Sequence, residues 1–242
     1  MSLRAAFDVS KCSPHGITTV AGYIAPADQW KAVEERWNKQ LGHAGLEAFH
    51  LAEIKRQYGT HWLDIVRPFA QIVRDVGLRS ATAMLKDTDW AVADHDAAYR
   101  KICPHREHAC LDLIFGVVAD DVRLEFENQP VALVFDNDYG NHKAVVRVHS
   151  AWCQRTGHAG FNIYRKGEMA WDSVPLQCAD MVAGLLRVNP FSHALLNDDL
   201  RSIDDNDPVA EVAHTTLSAG RGAMWSAPIA IKVEALLRRK GD

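Results

Sequence analysis

The sequence predicts an α/β fold: a mixed sheet of about five strands flanked by helices, with helical insertions between them. Three observations carry this. Short alternating or β-branched runs recur between longer stretches whose apolar residues keep helical spacing. One run, "VALVF" at 131–135, is apolar throughout, as a strand covered on both faces requires. The 242 residues show no repeat, no low-complexity linker and no break in composition, so a single domain is the economical reading.

In chain order, residues 3–25 read as two strands around a polar turn of Ser13, Pro14, His15 and Gly16. Asp28 is placed to cap a helix carrying Trp30, Val33, Trp37 and Leu41 on one face, with Gly42 and Gly45 at its end. "AFHLAEIKRQYG" predicts a short helix, and "HWLDIVRPFAQIVRDVG" a longer one interrupted by Pro68. Gly77 stops that helix, and "LRSATAML" (78–85) is the third strand. A helical pattern then runs from Trp90 to about Glu127, and "VALVF" follows, ending at Asp136. A helix over roughly 141–156, the strand "FNIYR" and an apolar helix from Pro175 complete a core of about residues 3–188.

Residues 189–242 form a helical extension in this reading. It begins with the acidic loop "NDDLRSIDDNDP" and ends in the helix "PIAIKVEALLRRK". Pro228 opens that helix, and Arg238, Arg239 and Lys240 close it, where the helix dipole favours cations.

No apolar run reaches the length of a membrane span, and "MSLRAAFDVSK" lacks a hydrophobic signal core, so the expectation is a cytoplasmic protein with no membrane partner. Five cysteines without a Cys-x-x-Cys pair fit reduced thiols. A formal charge of −4 neither announces nor excludes a nucleic-acid partner, which local patches decide.

Carboxylates stand where open α/β sheets place their chemistry. Asp8 lies at the end of the first strand and Asp136 ends the most buried one. Asp172 and Asp180 flank the start of the apolar helix "WDSVPLQCADMVAGLLRV". At 100° per residue, Gln177, Asp180 and Gly184 share one narrow edge of that helix, while Cys178, Met181, Val182, Leu185 and Leu186 fill the rest. A carboxylate there needs a partner. The structural alternative is an ion pair with Arg187; the functional one is a cation bound by converging carboxylates. Hard divalent ions, Mg2+ or Mn2+, suit such oxygen donors, and two of them roughly 4 Å apart can activate water against a phosphodiester.

"AAFDVS", a following strand, a Trp-containing helix and "AFHLAEI" resemble the opening of domain-of-unknown-function family 3800, whose members begin with strand-Asp-Glu-Ser-Gly and later carry a Phe-His-x-x-Glu-like segment. "VALVFDN" resembles that family's strand-plus-Asp, and "WDSVPLQCADMVAGLL" its Asp-x-x-x-Leu-Gln-x-Ala-Asp signature, so the resemblance runs from about Phe7 to Val188. The family is similar to ribonuclease H-like proteins. The resemblance therefore implies a ribonuclease H-like sheet and a metal-dependent nuclease site built from Asp8, His50, Glu53, Asp136, Asp172 and Asp180. Attack by water, with no covalent enzyme intermediate, is the implied chemistry. The chain departs from the pattern at Val9 and Lys11, where the family has Glu and Gly. Loss of the Glu weakens the site if that residue is a ligand, and is neutral if it points to the other face of the strand.

Other candidates were weighed beside these. His50 and Glu53, three apart, share a helical face, as a proton shuttle and a metal ligand or as a surface pair near Lys55 and Arg56. A nucleic-acid groove would draw on Lys11, Lys143, Arg147, Arg165 and Lys166, with Arg155 nearby, although a solvated helix face explains such cations equally well. "CPHREHAC" (103–110) holds two Cys and two His, but Pro104 and the helical spacing spread them away from zinc-finger geometry. "FDNDYG" also resembles the Asp-x-Asp of haloacid-dehalogenase-like phosphatases, which implies a nucleophile at Asp136 with Asp138, Lys166 and Asp198–Asp199 in support. A non-catalytic binding module with a degenerate site is the remaining alternative.

Overall fold

The computed structural model describes residues 2–12, 16–86, 90, 97–136, 142–188 and 212. Strands β1 (Leu3–Cys12) and β2 (Ile17–Pro26) form a hairpin, followed by α1 (Ala27–Ala44), α2 (Leu51–Tyr58), α3 (Trp62–Val76) and β3 (Arg79–Lys86). Then come α4 (Ala97–Ile102), α5 (Arg106–Glu125), β4 (Val131–Phe135), α6 (His142–Thr156), β5 (Asn162–Arg165) and α7 (Ser173–Val188). The sheet order is β3-β2-β1-β4-β5. The first three strands are antiparallel, whereas β4 lies parallel to β1 and β5 parallel to β4. This five-stranded mixed sheet flanked by helices has a ribonuclease H-like layout.

Strand parity assigns the two faces. In β1, Leu3, Ala5, Phe7 and Val9 join a core with β4 residues Val131, Leu133 and Phe135, under α5 and α6. Ala6 points the other way, onto Val134 and Leu176 of α7. Ala21, Tyr23 and Ala25 of β2 pack against α1, α3 and α7 on that same side. Both faces of β4 are thus covered, which is why its sequence is apolar without alternation.

Two glycines set close approaches. A Cβ on Gly22 would stand 1.8 Å from the Ala6 carbonyl oxygen, so β2 can lie against β1 there only without a side chain. A Cβ on Gly184 would stand 2.5 Å from Leu51 Cδ2, which lets α7 press against α2.

Element limits differ from expectation in five places. Strand β1 does not end near Asp8 but continues to Cys12, because Val9–Cys12 stay paired with Ile17–Val20 of β2. The capping position of α1 is Pro26, with Asp28 inside the first turn. Helix α3 continues through Pro68, because its buried face of Val66, Phe69, Ala70, Ile72 and Val73 outweighs one lost backbone hydrogen bond. The helical stretch before β4 breaks into α4 and α5 around Cys103–His105, where Pro104 stands. Helix α7 begins at Ser173, two residues before Pro175. Of the extension expected over 189–242, only Val212 is described, buried in the core beside α1, α3 and α7; the acidic loop and the final helix lie outside the described residues.

Candidate active site

Asp136 follows the last residue of β4, and its backbone N–H donates to the Phe7 carbonyl (3.1 Å). Phe7 and Phe135 are register partners, so Asp8 and Asp136 sit side by side on adjacent parallel strands, with backbones roughly 5 Å apart. By parity Asp8 leaves the strand on the α7 side, opposite Phe7 and Val9. Both aspartates line a cleft of about 750 Å³, together with His50, Glu53, Lys166, Asp172 and Asp180. Every carboxylate of the nuclease reading, and His50, therefore lines one space.

Each of these groups is held by a specific contact. Asp180 Oδ2 accepts the Leu51 backbone N–H at 2.8 Å, and His50 Nδ1 lies 3.6 Å from the same oxygen. Leu51 is the first residue of α2, and His50, in extended conformation at its capping position, makes no side-chain cap. The amide ends of a helix carry unsatisfied donors and partial positive charge, so α7 lends α2 its cap through Asp180. This is the partner that an aspartate on an apolar helix demands. A signal for it was present: a helix opening on His-Leu, without Ser, Thr, Asn or Asp, must find its acceptor elsewhere. The alternative partner, Arg187, has its side chain outside the described residues.

Gln177, on the same edge of α7, accepts from Phe49 N (2.7 Å) and Trp37 Nε1 (3.1 Å), tying the segment before α2 to α7. The stripe Gln177–Asp180–Gly184 faces the cleft as its spacing predicts, yet its first member is committed to structure. His50 and Glu53 do not share a helical face, because His50 stands outside α2 in extended backbone. Lys55, considered as a partner for Glu53, puts its ammonium over the Trp62 ring at 4.2 Å.

Asp172 is buried and stands just before α7, where its carbonyl accepts the Leu176 N–H at 3.0 Å. Its Oδ2 accepts from Gly167 N, a glycine held at φ 83°, which fixes the turn after β5. Lys166, in that turn, donates from Nζ to both Asp136 oxygens at 2.9 Å. Among the described residues, no three His, Cys, Asp or Glu side chains stand close enough together to share one ion in this arrangement.

The cations expected to contact nucleic acid divide. Lys166 lines the cleft. Lys11 does not: its odd position in β1 turns it to the opposite face, where it pairs with Glu107 of α5. Lys143 and Arg147 are exposed on α6, which packs on α5 across the sheet from the cleft. Arg155 turns inward onto buried Asp112. Arg165 reaches Glu168 at 3.8 Å, outside the cleft lining. Sequence proximity gathered these residues, but strand and helix parity separates them. Val9 sends its side chain into the core under α5, so the position where the resembled family has Glu points away from the cleft. Asp138, Asp198 and Asp199, which the phosphatase reading needs, lie outside the described residues.

In the "CPHREHAC" segment, Cys103 and Cys110 are buried, and burial pushes the Cys103 thiol up to about 12. Comparison with known proteins returned no matching family profile, no matching curated protein and no matching solved structure. Among the described residues no helix is long and apolar enough to cross a membrane.

Proposed function

We propose that this cleft binds divalent metal, Mg2+ or Mn2+, and hydrolyses phosphodiester bonds of nucleic acid. The observation that carries the reading is that Asp136, one residue beyond β4, stands beside Asp8 of the neighbouring parallel strand β1, and that both line a cleft shared with Asp172 and Asp180. Several carboxylates lining one cleft favour a cation among them, and their hard oxygens fit these two metals. The Lys166 ammonium, bridging both Asp136 oxygens, already stands as a cation at that position. The sequence resemblance to family 3800 supports the same assignment.

In this reading Asp8 and Asp136 hold the ion, and Asp172 or Asp180 completes the donor set. When bound, the ion supplies Lewis-acid activation of water and stabilisation of the leaving oxygen. His50, beside Asp180 at the mouth of the cleft, is placed to move a proton, with Glu53 on the next turn. Lys166 gives the cleft a cation for the phosphate backbone.

A second reading, a non-catalytic nucleic-acid or protein-binding module, is favoured by one observation. Asp136, Asp172 and Asp180 all satisfy protein donors. Calorimetry with Mn2+ separates the two. The nuclease reading expects binding that Asp136→Asn and Asp8→Asn abolish, and no binding at millimolar metal would sink it. A panel of DNA, RNA and hybrid substrates with Mg2+ or Mn2+ then tests activity. Cleavage is expected to fall about a thousandfold or more in Asp136→Asn, by analogy with the loss of other charge-stabilising groups.

A further inference from the structure

We propose that Lys166 is the resident counter-cation of the cleft, and that a divalent ion binds Asp136 only as the Lys166 ammonium leaves it. The inference rests on the metal-binding reading above and adds an internal competitor to it. Both oxygens of Asp136 face the Lys166 Nζ at 2.9 Å, the geometry of a small cation bound bidentate. A dication ligated by the same carboxylate would stand within a few ångströms of that ammonium, and the two repel strongly. They therefore exclude one another.

The surroundings make the exchange feasible. The Lys166 side chain is 46 % exposed, against 17 % for Asp136, so the lysine is the more solvent-accessible partner of the pair. Its four-carbon stem reorients without moving the backbone. The backbone stays because the turn is pinned on both sides of Lys166. Gly167 N donates to Asp172, and Arg165 N donates to Glu168 Oε2 at 2.8 Å. Asp172 thereby acts as a positioning residue for the turn. A half-exposed ion pair contributes little to stability, so an ion with several carboxylate donors can displace it. Once displaced, the ammonium remains tethered at the rim, where a phosphate approaching the ion would meet it.

The test is Mn2+ calorimetry on the full chain, comparing wild type with Lys166→Met, Lys166→Arg, Arg165→Met and Asp136→Asn. Lys166→Met is expected to bind about fivefold more tightly, the weight of a half-exposed ion pair converted to affinity. Lys166→Arg, which keeps a bidentate cation on Asp136, is expected to bind no more tightly than wild type. Arg165→Met removes a charge from the same turn but not from Asp136, and is expected to stay within about twofold of wild type. Asp136-dependent binding in wild type that tightens in Lys166→Met, and not in Lys166→Arg or Arg165→Met, supports the competition. Asp136-dependent binding that is equal or weaker in Lys166→Met overturns the competition while leaving the metal site standing. Equal tightening in Arg165→Met also overturns it, by showing a general field effect. No binding in wild type or in Lys166→Met removes the metal site itself, and the competition with it. Substitution at a half-exposed side chain is compatible with folding, and Lys166→Arg controls for it.

Discussion

On the face of the sheet under α5 and α6, Asp112 pairs with Arg155, and Asp121 meets Arg79 at 2.6 Å, each carboxylate matched to a guanidinium at low exposure. On the cleft face, Asp172 and Asp180 accept from backbone N–H groups and Asp136 from a half-exposed lysine. The difference is one of exchangeability. A guanidinium locked among core side chains cannot leave without stranding a buried charge, whereas a lysine at a cleft rim can. Backbone donors also leave a carboxylate its full charge, so an aspartate held by an amide can still serve a cation. What differs between the two faces is thus the kind of partner each acid has, guanidinium on one and backbone amide or lysine on the other.

The largest expected effect tests the locked side. Asp112→Ala leaves Arg155 without the acceptor it has, while its Nε and Nη1 already lack hydrogen-bond partners. Breaking such a pair is expected to cost about 3–5 kcal/mol in urea unfolding, with Mn2+ affinity of the folded fraction unchanged. A loss below about 1 kcal/mol would put this pair in the same class as the surface ones.

A smaller effect probes Asp180, which bridges both roles. Asp180→Ala removes the α2 cap and is expected to lower stability by about 1 kcal/mol. Asp180→Asn keeps an acceptor for Leu51 N and should recover most of that, while weakening metal binding as Ala does. An Asn variant that binds metal like wild type would confine Asp180 to capping.

The smallest effect is a pH dependence from the opposite face. Burial, then the neighbouring His158, hold His149 below the ordinary histidine value of 6.5. Its Nε2 accepts the Phe161 N–H at 3.0 Å, which requires that nitrogen unprotonated. Between the depressed folded value and 6.5 the unfolded chain binds the proton more readily, so stability falls as pH drops through that window. Above it both states are neutral and the term vanishes. Thermal midpoints are expected to decline below pH 6.5, with a shallower decline in His149→Gln. His108 and His158 are depressed in the same direction, chiefly by burial, and would contribute the remainder.

Much of the architecture was legible along the chain. The β-branched and apolar runs of β1 and β2, the unbroken apolar run of β4 and the spacing of Trp30, Val33, Trp37 and Leu41 each specify an element locally, because side-chain direction follows backbone period. Asp8 and Asp136 were legible for the same reason, as breaks in apolar runs, although Asp8 proves to lie inside β1. The cation assignments were not. Lys11 and Lys166 looked alike in sequence, yet one faces α5 and the other the cleft. Pro68 misled because local propensity took no account of the packing that holds α3 together.

Sequence by itself determined that β1 and β4 are strands, that Asp136 directly follows β4, and that Asp180 is an anomaly on an apolar helix; that β1 runs on past Asp8 to Cys12 was not legible. The tertiary structure decided what each acid touches: Leu51 N for Asp180, Gly167 N for Asp172, Lys166 for Asp136. The reason is geometric. Local periodicity fixes the direction in which a side chain leaves its element, but a hydrogen bond forms only within about 3 Å, and only the folded topology brings residues from distant segments that close.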